Sequence, residues 1–260
     1  MISTSDPYRN RKPRNISDAE WDARCQLAAA YRLAAKFQLT DLIYTHISVR
    51  VPGRHDQFLI NPHGWFFDEI TASSLVRIDV EGRPVDDDRF EVNAAGFTIH
   101  SALHQSRPDV ECVAHLHTNA GMAVAALQCG LLPLNQISMQ FYNRVNYHDY
   151  EGISLDLDER SRIVASMGQA HYLILRNHGL LTTGRSVAEA FTRMFYLNRA
   201  CEIQVQTLSM GQPYTLPSPA VCEHAARQHD DYAYLDTTHL DREWTALLRL
   251  VDRDGGDYRC

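Results

Sequence analysis

The stretch Val110-Glu-Cys-Val-Ala-His-Leu-His117 is an apolar run that ends in two histidines separated by one residue. Its composition predicts a buried β-strand. In an extended strand alternate side chains share a face, so the rings of His115 and His117 point the same way, roughly 6 to 7 Å apart at the backbone. That separation suits two ligands of one metal ion.

A third histidine, His178, lies in Arg176-Asn-His-Gly179, between two further apolar segments. If the turn brings it to the pair, three imidazoles complete the facial set of catalytic zinc sites and leave one position for water or substrate. The chain has 13 histidines among 260 residues. One such pair can therefore arise by chance, and the spacing needs support from the rest of the chain.

The composition is that of a soluble globular protein. Hydrophobic residues make up 45% and charged residues 22% of the chain, which is long enough to bury a substantial core. The formal net charge is −7 and the pI is about 6.0, so no basic surface is indicated for nucleic acid. We expect a small-molecule substrate and no nucleic-acid partner.

The cysteines and the hydropathy pattern indicate the compartment. The six cysteines are widely and irregularly spaced, without a Cys-x-x-Cys pair, which is typical of reduced thiols. The N-terminus lacks the apolar stretch of a secretory signal, and no run of about 18 apolar residues occurs. We predict a cytoplasmic protein with no membrane partner.

Three regions are predicted along the chain. Residues 1–16 are polar and basic and form a flexible arm. Residues 17–211 form an α/β domain, and residues 212–260 form a helical extension packed on the same domain. Ser17 with Glu20 and Ser186 with Glu189 are capping boxes, which open helices to about residues 38 and 210.

Between these helices the pattern changes to strands. Period-two segments at 42–49, 58–60 and 76–80, separated by turn signals, predict antiparallel pairing. A helix from Asn93 to about Gln105 precedes the His-x-His strand, and a buried strand spans Ala170–Arg176. Two shorter amphipathic helices are predicted near residues 222–228 and 242–251.

From Leu42 to about Leu208 the chain resembles the class II aldolase/adducin superfamily, and among its members the adducin head domain and its bacterial relatives. The segments that carry the resemblance are Leu42-Ile-Tyr-Thr-His46, Thr71-Ala-Ser-Ser-Leu75, Ala95-Gly-Phe-Thr-Ile-His-Ser-Ala102, Arg107-Pro-Asp109, His115-Leu-His-Thr118, Cys129-Gly-Leu-Leu-Pro133, Tyr147-His-Asp-Tyr150, Leu173-Ile-Leu-Arg-Asn-His-Gly179 and Ala200-Cys-Glu-Ile-Gln204.

The resemblance implies a three-layer α/β/α fold around a central mixed, largely antiparallel sheet. It also implies a homo-oligomer, commonly a tetramer, with active sites near subunit interfaces. In the aldolases the histidines that match His115, His117 and His178 hold zinc, which polarises a carbonyl during carbon–carbon bond cleavage. A divalent metal is therefore expected, with Zn²⁺ first and Mn²⁺ or Fe²⁺ as alternatives.

The chain also departs from the aldolase pattern. The catalytic glutamate of the aldolases matches Gly96, which cannot move a proton. Their phosphate cradle matches Thr45-His46, His63-Gly64 and Ala94-Ala95, where most of the required hydroxyl and amide donors are missing. The expected substrate is a small acid or carbonyl compound without a phosphate.

The remaining polar residues of the matching segments are candidates for the other roles. Tyr44, His46 and Tyr150 are the candidate acid/base residues. The positions expected to bind substrate are His63, Gly64, Gly96 and His148. Structural roles are expected for His100, His104 and His171.

Three functions from different classes fit these observations. The first is a metal-dependent carbon–carbon lyase, either a decarboxylase or an aldolase-type cleavage enzyme. Decarboxylation needs no strong base, because loss of carbon dioxide itself generates the carbanion. The second is a non-catalytic, adducin-like binding protein. The third is a non-haem iron oxygenase, since three imidazoles with open positions also bind ferrous iron.

Overall fold

The structure is a computed structural model that describes residues 15–85, 91–152, 158–235 and 237–260, with the backbone alone at 94–97, 232–235 and 237–238. The predicted N-terminal arm, residues 1–16, lies outside the described ranges except for its last two residues. Within these ranges, every helix is too short or too polar to cross a lipid bilayer.

Seven strands in the described ranges form one mixed sheet in the order β3-β2-β1-β4-β7-β6-β5. Neighbouring strands are antiparallel except for β5 and β6, which are parallel. The prediction of a mixed, largely antiparallel sheet is therefore confirmed. The strands are β1 (His46–Arg50), β2 (Gln57–Ile60), β3 (Val76–Asp79), β4 (Cys112–Leu116), β5 (Val145–His148), β6 (Tyr172–Leu175) and β7 (Gly179–Gly184).

The helices cover both faces of this sheet. They are α1 (Asp18–Lys36), α2 (Ala94–Ser106), α3 (Asn119–Ala125), α4 (Gln136–Met139), α5 (Glu159–Met167), α6 (Val187–Ser209), α7 (Pro219–Leu235) and α8 (Thr237–Asp252). Helices α1, α3 and α6 pack on one face over the larger apolar cluster, and α2 and α5 pack on the other. This arrangement confirms the three-layer α/β/α fold.

The two long helices begin where the sequence predicts. The Ser17 hydroxyl accepts a hydrogen bond from the Glu20 N–H, and the Ser186 hydroxyl accepts one from the Glu189 N–H. Each cap satisfies a donor that the first helical turn leaves free. The Glu20 carboxylate, however, turns to Arg24, so only the hydroxyl half of this capping box forms as predicted.

Other predicted boundaries differ from the structure. The segment predicted as a strand over 42–49 begins with a tight turn, Asp41–Tyr44, and the strand starts only at His46. Leu42 has a positive φ of 49°, which a strand cannot contain. Helices α7 and α8 are longer than predicted and contact α1, α4 and α6. The division of the chain at residue 211 stays a prediction.

Candidate metal centre

The end of β4 and the turn between β6 and β7 bring three histidines together. His115 lies near the end of β4 and His117 follows it, while His178 lies in the turn between β6 and β7. Strand β7 pairs antiparallel with both β4 and β6, so this turn lies beside the end of β4. The three residues form the triad.

Gly179 allows this close approach. A Cβ atom at Gly179 would lie 2.7 Å from the Leu116 carbonyl oxygen and 3.0 Å from His117 Cδ2. Because the first of these contacts is shorter than real Cβ atoms show, the turn that carries His178 reaches β4 only with glycine at this position.

The rings of the triad converge. Each pair of ring centroids is 4.8 Å apart, and one nitrogen of each ring lies within 4.8 Å of the others. The Nε2 atoms of His115 and His117 are 3.0 Å apart. Two nitrogen ligands that each lie about 2.0–2.1 Å from one zinc ion are separated from each other by a similar distance.

The partners of the Nδ1 atoms decide which nitrogens face the centre. His115 Nδ1 lies 3.0 Å from the Leu180 carbonyl oxygen, and His117 Nδ1 lies 3.0 Å from Asp41 Oδ2. Both oxygens are acceptors, so each Nδ1 carries a proton and each ring turns its Nε2 atom toward the centre. Two facing Nε2 atoms 3.0 Å apart share either a proton or a metal ion, and the nearby nitrogen of His178 supplies a third donor for a metal ion. The donor set therefore fits a metal ion.

The protonation of the triad also fits. Burial, together with the neighbouring histidines, lowers the pKa of His115 well below its usual range and that of His178 to about 4. At neutral pH these two rings are uncharged, which is the form that binds a metal.

A further histidine lies beside the triad on the same face of the sheet. His46 of β1 is paired in register with His115, and their ring centroids are 5.8 Å apart. On its other side His46 makes an edge contact with His100 of α2, at 5.2 Å between centroids. Burial, followed by the nearby histidines, lowers the pKa of His46 well below its usual range.

Behind His46, one hydroxyl group joins two buried imidazoles. Ser48 Oγ lies 2.6 Å from His100 Nδ1 and 2.8 Å from His104 Nε2. A hydroxyl has one proton, so it donates to one ring and accepts from the other. Burial lowers the pKa of His104 to about 3. We call His46, His100, His104 and Ser48 the buried histidine cluster.

Comparison with known proteins identifies the family. The family model described as Class II Aldolase and Adducin N-terminal domain matches residues 25–205. The chain belongs to this family. The resemblance found in the sequence is confirmed, and the aldolase/adducin match includes the triad and the buried histidine cluster.

The chain is similar to a bacterial aldolase II superfamily protein and to an adducin. An aldolase II superfamily protein from Pseudomonas syringae has 48% sequence identity and a TM-score of 0.91, over 95% of this chain and 98% of that one. Alpha-adducin of Rattus norvegicus is 49% identical over 91% of this chain. The chain spans about a third, 34%, of that adducin.

A solved aldolase is also similar. L-fuculose 1-phosphate aldolase from Glaciozyma antarctica PI12 has 26% sequence identity and a TM-score of 0.80, over 96% of this chain and 97% of that one. The fold is thus shared with proteins named as aldolases and with adducin.

The other predicted site residues are spread around the triad. The Tyr150 ring centroid is 6.2 Å from that of His178, and its side chain is 53% exposed. Tyr44 is 49% exposed at the end of the turn that contains Asp41. His63 and Gly64 lie in an exposed loop, and His63 is close enough to affect the pKa of His46.

The last two predicted residues are His148 and Gly96, and of these the structure describes the contacts of His148 alone. His148 is buried against α5, where Nδ1 lies 2.9 Å from Ser166 Oγ and Nε2 lies 3.5 Å from Glu159 Oε1. Gly96 falls in the first turn of α2, where the surroundings of residues 94–97 lie outside the described part of the structure.

Two features of the centre are missing from the sequence prediction. Asp41 contacts His117, although 76 residues separate them and no motif links them. Ser48 ties His100 to His104, which lie 52 and 56 residues away. The sequence did offer a signal for Ser48: it lies two residues after His46 in one strand, so both side chains share a face. The pairing of β1 with β4 makes this the face of His115.

Proposed function

We propose that this protein is a metal-dependent carbon–carbon lyase that acts on a small acid or carbonyl compound without a phosphate group. His115, His117 and His178 hold the metal. The observation that carries the proposal is the 3.0 Å approach of the Nε2 atoms of His115 and His117, with both Nδ1 atoms facing acceptors. Three neutral imidazoles favour Zn²⁺, and they also accept Mn²⁺ or Fe²⁺.

A bound divalent cation would polarise an oxygen of the substrate and stabilise negative charge beside it. The chain's own residues supply the rest. His46 lies next to His115, and its uncharged ring can accept a hydrogen bond or a proton from the substrate. Tyr150, beside His178, and Tyr44 are the proposed proton donors at the exposed side.

Gly96 favours decarboxylation over aldol cleavage. Glycine at the aldolase glutamate position leaves no carboxylate there to remove a proton from the substrate. Decarboxylation forms its carbanion by losing carbon dioxide and then requires only a proton donor. Both tyrosine hydroxyls can serve as that donor.

The substrate-binding positions are proposed to be His63, Gly64 and Gly96, and of these His63 lies close enough to His46 to affect its pKa. These positions carry no lysine or arginine that could pair with a phosphate. His148 is also proposed to bind substrate, because its Nε2 atom makes no hydrogen bond to the described residues and it lies close enough to His178 to affect the pKa of that ring. We also propose a homo-oligomer, in line with the family resemblance.

Turnover by the metal-loaded protein tests this function. We would incubate it with small keto, hydroxy and hydroxyaromatic acids and follow carbon dioxide release and products by NMR. Loss of turnover in His115→Ala, with retention in the exposed-site control His224→Ala, is the expected result. Turnover that persists in His115→Ala would contradict the assignment, and oxygen consumption during turnover would indicate an oxygenase instead.

A second function is supported by the 49% identity to alpha-adducin. In this alternative the domain binds a protein and catalyses nothing. A purified protein that is fully folded, free of stoichiometric metal and unable to take up Zn²⁺ would favour it over the lyase.

A further inference from the structure

The segment that connects α1 to β1 reaches the triad with a charged side chain. Asp41 Oδ2 lies 3.0 Å from His117 Nδ1. The equivalent nitrogen of His115 faces a neutral acceptor, the Leu180 carbonyl oxygen, at the same distance. The Nδ1 atom of His117 therefore faces a charged acceptor, whereas that of His115 faces a neutral one.

We propose that Asp41 is a positioning residue that orients His117 for metal binding and strengthens the bond of its Nε2 atom to the cation. This inference rests on the proposed function only in requiring that the triad binds a divalent cation. Asp41 contacts neither the substrate nor the cation in this role. It acts through the His117 ring.

The first step of the argument is the tautomer. A free histidine can carry its proton on either nitrogen, and only the Nδ1–H form leaves Nε2 as a ligand. An ionised carboxylate is an acceptor only, so Asp41 selects the Nδ1–H form of His117. Without Asp41 the half-buried ring can rotate or exchange tautomers, and the ligand geometry is no longer preset.

The second step is electrostatic. A carboxylate behind a ligating imidazole makes the other nitrogen a better donor, and removing such a partner typically weakens metal binding about 10–100-fold. Asp41 has 40% of its side chain exposed, so water screens part of its charge. We therefore expect an effect near the lower end of that range.

The third step is the backbone that carries Asp41. The Tyr44 N–H donates a 2.8 Å hydrogen bond to the Asp41 carbonyl, which closes a turn with Leu42 at a φ of 49°. Thr45, directly before β1, has a φ of 72°. Left-handed geometry is unfavourable for a residue other than glycine. The fold retains two such residues where the chain turns from Asp41 to His46.

The test compares Asp41→Ala and Asp41→Asn with Asp56→Ala, which removes one exposed carboxylate from the β1–β2 connection. Zn²⁺ affinity is measured by competition with a chromophoric chelator. We expect about 10-fold weaker binding for Asp41→Ala and a smaller loss for Asp41→Asn, which keeps an acceptor oxygen without the charge. Asp56→Ala should match the wild type.

Two further measurements separate positioning from a general structural role. The visible spectrum of the Co²⁺-loaded protein should change in Asp41→Ala, because the ligand field depends on the orientation of His117. The melting temperature of the metal-free protein should stay within about 2 °C of the wild type, as for an exposed surface substitution.

The outcomes are distinct. Equal Zn²⁺ affinity in wild type and Asp41→Ala would overturn the role of Asp41 and leave the metal site intact. A melting temperature that falls in the metal-free variant as far as in the metal-loaded one would assign Asp41 a structural role instead. A wild-type protein that binds no Zn²⁺ would overturn both this inference and the proposed function.

Discussion

Two groups of histidines lie on one face of the sheet and differ in what their second nitrogen meets. In the triad, the Nδ1 atoms of His115 and His117 face pure acceptors, so their Nε2 atoms face each other at the centre. In the buried histidine cluster, Ser48 can both donate and accept, so the lone pair of one ring is satisfied by a proton. The partner atom, more than the histidine itself, separates a candidate ligand from a structural residue.

The largest expected effect concerns the triad. In the wild type, Zn²⁺ at 100 times its dissociation constant should raise the free energy of unfolding by about 2.7 kcal/mol. His178→Ala should lose this gain, because two imidazoles remain, while the metal-free stability changes little. Urea unfolding with and without Zn²⁺ measures both values. A variant that Zn²⁺ still stabilises to the wild-type extent would remove His178 from the triad.

The next effect concerns the buried histidine cluster. Ser48→Ala should lower the free energy of unfolding by about 1–3 kcal/mol, because it leaves buried nitrogens of His100 and His104 unsatisfied. The stoichiometry of bound Zn²⁺ should not change. Ser209→Ala, at the exposed end of α6, is the matched control. Loss of Zn²⁺ in Ser48→Ala would mean that metal binding by the triad depends on the buried histidine cluster.

The pH dependence sharpens the same contrast. The pKa of His104 is about 3 in the folded protein, so below about pH 6.5 the unfolded chain takes up the proton first. This ring lowers the free energy of unfolding by up to about 1.4 kcal/mol per pH unit as pH falls from 6.5 toward 3. Stability is thus fully present above pH 6.5.

In His104→Gln, the slope of the unfolding free energy against pH should fall by about one proton between pH 6 and 4. Denaturant titrations over this range measure it, with the exposed-site variant His224→Gln expected to keep the wild-type slope. An unchanged slope in His104→Gln would show that His104 is already protonated in the folded state.

The smallest effect is expected at the aldolase glutamate position. Gly96→Glu should create no measurable cleavage of a sugar phosphate such as L-fuculose 1-phosphate, because the residues that would hold the phosphate are also absent. A coupled assay for the released aldehyde checks this. Robust cleavage would show that the site accepts a phosphate after all.

The sequence predicted features that depend on local chemistry. The His-x-His spacing placed two rings on one face, and the serine caps located the starts of α1 and α6. The contact of Asp41 with His117 was not predictable in this way, because it depends on the turn before β1 and on the pairing of β1 with β4.

The parallel edge of the sheet was also missed. Strand β5 has only four residues and is only partly buried, and the sequence analysis predicted neither it nor helix α5. Its parallel pairing with β6 is a long-range feature that local patterns do not report.

The absence of space at Gly179 has a consequence for the choice of ion. Since the backbone at Gly179 packs directly against Leu116 and His117, main-chain packing holds the backbone of His178 close to the other two ligands. Three imidazole nitrogens held close together suit small tetrahedral ions. They disfavour calcium, which prefers six to eight oxygen ligands at longer distances. Selectivity in this centre would then originate in a residue that has no side chain.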